Sequence, residues 1–213
     1  DMIQLETVVI SANKNETNRL EAPIVVHVMT PKLFENTNSV CLAQGLSFQP
    51  GLRVETNCQN CGFQQVRING LDGPYTQLLL DGKALFSSLN GVYGIEQIPT
   101  GMIERVEVMR GGGSALYGAN AIGGTVNIIT KEPLNNLFMI SHNLTAIGNS
   151  AYDNTTSLNT SLVNSQRDAG IYLFGTSRHR QHYDHDGDHF SEIGKLKLTT
   201  LGFRSFYKPT SQT

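Results

Sequence analysis

The densest chemistry in this sequence lies between residues 179 and 189, where four of its six histidines fall. In the run His182-Tyr183-Asp184-His185-Asp186-Gly187-Asp188-His189, the residues Asp184, Asp186 and Asp188 alternate around a glycine. This D-x-D-G-D pattern offers hard carboxylate oxygens and suits Ca2+. His182 and His185 would instead suit Zn2+, Cu2+ or iron. A polar loop that binds nothing is the plain alternative. A second feature is Cys58-Gln59-Asn60-Cys61. A redox pair of the thioredoxin kind opens a helix and has a lowered thiolate pKa. Here Gly62 follows and no helical pattern comes after it, so a structural Cys58–Cys61 disulfide in a loop is the better reading. A zinc ribbon needs a second ligand pair, and none follows at the usual spacing. Cys41 stands apart in a helical stretch and reads as a buried free thiol. A third feature, Arg110-Gly111-Gly112-Gly113, invites a phosphate-loop reading. It lacks G-K-[ST] and opens no long helix, so the glycines are read as serving a tight turn and close backbone packing. No Ser-His-Asp set, paired carboxylates or nucleotide motif emerges, and no covalent chemistry is expected.

The elements that must position these residues fall into two textures. Residues 1–22 are polar and aperiodic. Ile24 to Val28 is a β-branched strand ended by Thr30-Pro31. Residues 31–48 read as helical, stopped by Pro50-Gly51. Residues 65–69 alternate as a half-buried strand, and Gln77 to Leu80 runs into Asp81-Gly82, a two-residue hairpin signal. Strands are expected at 103–108 and 124–130, with one helical turn between Ser114 and Gly118. After Pro133 helical periodicity ends. Long strands are expected at 137–147, 155–165, 170–180 and 193–207, with a bulge in the last, where apolar parity shifts from Leu196 and Leu198 to Leu201 and Phe203. Strands of about ten residues with weak alternation carry the signature of a transmembrane barrel. A soluble β-meander is the rival.

The 213 residues carry a net charge of −2 and only 16% charged side chains. That balance gives no reason to expect nucleic-acid partners. No apolar run approaches a membrane-spanning helix, and Asp1-Met2-Ile3-Gln4 does not resemble a signal peptide.

Over residues 1–133 the motifs, in order, resemble the plug of TonB-dependent outer-membrane receptors. Glu6-Thr7-Val8-Val9-Ile10-Ser11-Ala12 is similar to the TonB box. QVRINGLDGPYTQLLLDG, from Gln65 to Gly82, resembles the "IRG…VLVLVDG" segment. IPTGMIERVEVMRGGGSALYGANAIGGTVNIITKEP, from Ile98 to Pro133, resembles the closing "IERIEVVRG…SALYG…AIGGVVNIIT" segment, in the style of cobalamin and haem receptors. Asn57 to Gly62 departs from the general plug pattern.

The resemblance implies an N-terminal segment (1–22), an α+β plug with a small mixed sheet and short helices (23–133), and the first four or so antiparallel strands of an incomplete transmembrane β-barrel (134–213). Four strands cannot close a barrel, so they need the rest of it. It further implies an outer-membrane location with the plug inside the barrel, the N-terminus in the periplasm and residues 181–189 in an extracellular loop. There cobalamin receptors are similar in holding Ca2+ on aspartates. The implied activity is TonB-dependent import of a metal chelate such as cobalamin, haem or a ferric siderophore. Implied partners are TonB, the remaining barrel and the chelate, with a surface lipoprotein as a further candidate. The TonB box, a β-branched run, would add a strand to its partner's sheet edge. Glu104, Arg105, Glu107 and Arg110 are the candidates for ion pairs between plug and barrel wall, with a solvated strand face as the alternative. Rival readings are a periplasmic thiol oxidoreductase using Cys58 and Cys61, and a surface adhesin with no dependence on residues 6–12.

Overall fold

A computed structural model describes residues 9–10, 17–18, 25–58, 63–85, 90–111 and 117–208. Two short strands, β1 (Val9–Ile10) and β2 (Thr17–Asn18), pair antiparallel. The rest of the 6–12 motif, Cys61 and residues 112–116 lie outside the described residues, as does the Cys58 side chain.

The N-terminal unit is built on a five-stranded sheet in the order β3 (Val26–Met29), β8 (Ile103–Arg110), β9 (Gly124–Thr130), β6 (Thr76–Leu80), β7 (Lys83–Ala84). Only β6 and β9 run parallel. Strand β9 is buried along almost its whole length, because it lies at the centre of the sheet. Gly124 opens it at φ 145°, and a Cβ there would strike the Met109 carbonyl oxygen, so only glycine fits. The expected hairpin forms at Asp81-Gly82. Both residues have positive φ, 48° and 75°, as a primed turn requires.

Among the described residues, α1 (Pro31–Asn36), α2 (Leu42–Leu46) and α3 (Asn90–Gln97) cover the sheet. The helical stretch expected over 31–48 is therefore two helices. Asn38, at φ 50°, breaks it, and the Thr37 hydroxyl closes α1 by donating to the Leu33 carbonyl. Leu42 and Leu46 of α2 meet Ile95 of α3 and Ile103, Val106, Val126 and Ile128 of the sheet, all buried. Each such side chain contributes about 1.5–3 kcal/mol. A separate hairpin of β4 (Leu52–Cys58) and β5 (Phe63–Ile68) carries a one-residue bulge between Thr56 and Cys58.

Four long strands follow: β10 (Leu137–Ile147), β11 (Ala151–Val163), β12 (Ala169–Arg180) and β13 (Leu196–Tyr207). They pair in chain order, all antiparallel. The bulge expected in β13 is absent: its register on β12 is unbroken and its burial alternates strictly. The parity shift has a different cause. Leu196 and Leu198 sit on the inward face near one end, while Leu201 and Phe203 sit on the outward face, 83% and 70% exposed. Outward residues such as Phe138, Ile140, Leu158 and Leu173 are apolar and exposed, whereas inward ones such as Asp153, Thr155, Asn159 and Arg178 are polar and buried. This is the reverse of a soluble sheet and the arrangement of a membrane barrel wall. Its inward face packs on the N-terminal unit. Among the described residues no helix is long and apolar enough to cross a membrane.

Candidate functional site: the sheet–wall contact and the acidic loop

The contact between the two units is largely polar, with Phe174 of β12 packed against the core of the N-terminal unit, and the wall supplies its cations. Arg178 of β12 lies 3% exposed between β11 and α2. Its Nε donates to both oxygens of Asp153 at 3.1 Å, its Nη2 to Oδ2 at 2.6 Å, and its Nη1 reaches the Cys41 sulfur at 3.5 Å. Cys41 is a free, buried thiol, as its place in an apolar helical stretch suggested. Burial pushes its pKa up from 9.0, and the nearby Arg178 charge opposes this only in part.

Six residues away along β12, the Tyr172 hydroxyl donates to the Gly101 carbonyl at 2.7 Å and to Asn159 Oδ1 at 3.0 Å. A Cβ on Gly101 would meet the Asn159 amide, which would have to shift. Arg180 Nη1 stands 3.7 Å from Glu96 of α3, and Thr200 donates to the Gln97 carbonyl.

Arg204 of β13 makes the third attachment. Its Nη1 donates to the Thr130 carbonyl at 2.9 Å and lies 3.5 Å from Asp81 Oδ2, and its Nη2 donates to Glu132 at 2.6 Å. Asp81 in turn accepts from the Thr130 backbone N–H at 2.9 Å and its hydroxyl at 2.7 Å. One wall arginine thus holds the end of β9 and the β6–β7 turn together.

Of the four charged residues expected at this contact, Glu104 and Arg105 line a cavity together with Arg204 of the wall. Arg105 pairs with Glu107 along β8 at 2.9 Å, and Glu107 is fully buried within the sheet beside Asn127. Arg110 donates to the Pro50 carbonyl, and Glu104 is exposed. From the wall, the cations Arg178, Arg180 and Arg204 reach the plug. Spacing gave no pointer to their partners, which lie up to 137 residues away. The available signal was a cation at inward parity in an otherwise polar strand face.

The acidic loop between β12 and β13 is held by its own backbone. Asp184 accepts from the N–H groups of Gly187 and His189, Asp186 from Asp188, and Asp188 from Phe190. One carboxylate oxygen each from Asp184, Asp186, Asp188 and Glu192 lie within 4.8 Å of one another. Glu192, which lies outside the D-x-D-G-D run, was not anticipated. His182 and His185 do not join this group. The His185 ring instead meets the Tyr183 hydroxyl at 3.2 Å.

Residues 18–125 match the family described as TonB-dependent Receptor Plug Domain, which is half of the chain. The chain belongs to this family: the matched residues carry its plug, and the antiparallel strands β10–β13 follow as wall strands of an incomplete barrel. Over 127 residues it is 35% identical to the vitamin B12 transporter BtuB of Vibrio vulnificus, covering 60% of this chain and 21% of that protein. It is 31% identical over 126 residues to BtuB of Vibrio cholerae. The fold superposes on the siderophore receptor PirA of Acinetobacter baumannii with a TM-score of 0.71 at 24% identity, covering 88% of this chain and 30% of that one. A ferric enterobactin receptor (PfeA) mutant from Pseudomonas aeruginosa gives 0.71 at 23%, covering 96% of this chain and 33% of that one. The chain thus spans about a fifth of the curated relatives and a third of the solved structures.

Proposed function

We propose that the chain is the gate of an outer-membrane receptor that imports a metal chelate by TonB-driven displacement of the plug. The observation that carries this reading is the polar attachment of plug to wall, in which Arg178 reaches Cys41, Arg180 faces Glu96 and Arg204 meets Asp81, Thr130 and Glu132. Such contacts exchange for water when the plug shifts, so they let it loosen under load more readily than an apolar seam would. Residues 6–12 are the segment offered to TonB in the periplasm, by addition of a strand to its sheet edge. The cargo is cobalamin, with a ferric siderophore or haem as alternatives; the sequence similarity to BtuB favours the first. A surface lipoprotein is a candidate helper in capture.

In this reading β10 runs outward from the periplasm, β12 does so again, and the acidic loop is extracellular. Four carboxylates able to converge fit Ca2+, whose ligands are six to eight oxygens at about 2.3–2.6 Å. Asp184, Asp186, Asp188 and Glu192 would hold it and stiffen the loop over the cargo site. The test is equilibrium binding of cyanocobalamin, haem and a ferric siderophore to the full-length receptor, with calcium and with chelator. One cargo is expected to bind, and Asp184→Asn with Asp186→Asn is expected to weaken it at least tenfold in calcium only. Binding indifferent to calcium and to the substitutions would remove the ion from the account.

A further inference from the structure

We infer that Arg180 is the positioning residue through which the docked plug holds the neck of the acidic loop closed, so that withdrawal of α3 from the wall opens the loop. This goes beyond the transport reading, because the coupling belongs to the docked fold whatever cargo or ion is bound.

The last rung of the β12–β13 ladder sets Arg180 opposite Leu196. The loop closes again at Tyr183 and Ile193, whose backbones exchange hydrogen bonds of 2.9 and 3.2 Å. Asp184, Asp186, Asp188 and Glu192 all lie between these two residues, so their convergence depends on this neck. Between rung and neck the two strands part. The Gln181 N–H turns away to the Tyr152 carbonyl of β11. A cavity of about 500 Å3, lined by Gln181, His182 and Lys195 among others, lies beside the gap. Arg180 spans it, because its Nε donates to the Gly194 carbonyl at 3.1 Å.

The other end of the same guanidinium faces the plug. Its Nη1 stands 3.7 Å from Glu96 Oε1, and the two side chains are 19% and 13% exposed. Salt screens a pair at that burial less than it screens a surface pair. Glu96 stands in the last turn of α3, which carries no basic residue there. The helix dipole opposes a carboxylate at a C-terminus, so Glu96 gains from a cation supplied from outside the helix. Thr200 of the wall meets the same helix end by donating to the Gln97 carbonyl. Gln64 of β5 donates to Glu96 Oε1 at 3.2 Å, while its own amide oxygen is buried without a donor among the described residues. One carboxylate therefore joins α3, the β4–β5 hairpin and the wall.

A guanidinium is planar and rigid, so a single orientation has to serve both Gly194 and Glu96. With the plug docked, Glu96 fixes that orientation. With α3 withdrawn, the guanidinium turns toward water and toward the carboxylates of the loop, and the bond to Gly194 loses its direction. The neck then rests on its two backbone hydrogen bonds and on Tyr183, which lies where a Cβ of Gly148 would be.

Hydrogen exchange of the full-length receptor, in chelator and without cargo, reads the neck at Tyr183 and Ile193. Glu96→Gln keeps the side-chain volume and an oxygen for Gln64, and removes the charge that faces Arg180. It is expected to speed exchange at the neck about fivefold, with the β8 and β9 amides unchanged. In an Arg180→Met background the same change is expected to add nothing. Coupling of this kind is reciprocal. Ile193→Pro, which removes one neck hydrogen bond, is therefore expected to raise maleimide labelling of Cys41 about fivefold with Arg180 present and to leave it unchanged in Arg180→Met. Neck exchange in Glu96→Gln within about twofold of wild type would overturn the inference, since packing on Gly148 alone would then hold the loop. The same acceleration in the Arg180→Met background, or a rise that extends to β8 and β9, would overturn it too. Neither calcium nor cargo enters the measurement, so its failure and that of the transport reading are told apart.

Discussion

Removal of the Arg178 side chain tests how the plug is held. Arg178 and Asp153 are 3% and 9% exposed, and the hydrogen bonds that Asp153 accepts through its side chain among the described residues all come from Arg178. In Arg178→Ala the Asp153 carboxylate would stay buried without its partner whenever the plug is docked, and would be hydrated when it is not. Breaking a buried pair this way costs about 3–5 kcal/mol. The cost falls on the docked state, so the undocked population should rise between about a hundredfold and a few thousandfold. Cys41 reports it, because it is buried at 2% exposure with its sulfur against Arg178 of the wall, and it labels only when that burial opens. The assay is maleimide modification of the full-length receptor, with the labelled cysteine assigned by mass mapping. The Cys41 rate should rise by that factor, while the paired change Asp153→Leu with Arg178→Met should label near the wild-type rate, since replacing both partners by apolar groups is often neutral. Raised by burial, the Cys41 pKa makes docking lose stability as pH climbs above 9.0 toward the folded value, so wild-type labelling should steepen there too. A rate in Arg178→Ala within twofold of wild type would refute the view that docking desolvates this pair.

Two further perturbations probe other parts of the same assembly. Gly124→Ala places a Cβ against the Met109 carbonyl at φ 145° and should destabilise the plug sheet by more than about 1 kcal/mol, read as a lower denaturation midpoint. Arg204→Ala removes contacts of a side chain that is 34% exposed, so after allowance for screening its cost is about 1–2 kcal/mol. Faster hydrogen exchange confined to residues 76–85 and 124–132 is the expected result, and unchanged exchange there would show that Arg204 holds nothing.

Much of the fold was legible because it follows local patterns. The closing plug strand Gly124–Thr130 and the first wall strand Leu137–Ile147 fall where the sequence puts them, as do the Asp81-Gly82 turn and the change of texture after Pro133. Strand β4 went unread because Leu52 to Cys58 mixes charge with few apolar positions, and α3 because Gly91 and Gly94 interrupt a short helix. The apparent bulge in β13 arose because the apolar residues change faces between the inward, plug-side end and the outward, lipid-side end. The attachment of plug to wall was the least legible part. Arg178, Asp153 and Cys41 are brought together by three separate elements, and only the packed fold shows that the cations come from the wall. The acidic loop was legible as a cluster, but Glu192 and the exclusion of the histidines depend on how the loop turns back through the Tyr183–Ile193 bridge.

The central claim is that residues 6–12 transmit the pull that opens the plug. The most direct measurement is uptake of radiolabelled cobalamin by cells carrying the full-length receptor, with and without Glu6–Ala12. The account predicts that the deletion abolishes uptake and leaves surface binding intact. Uptake at the wild-type rate without these residues would contradict it.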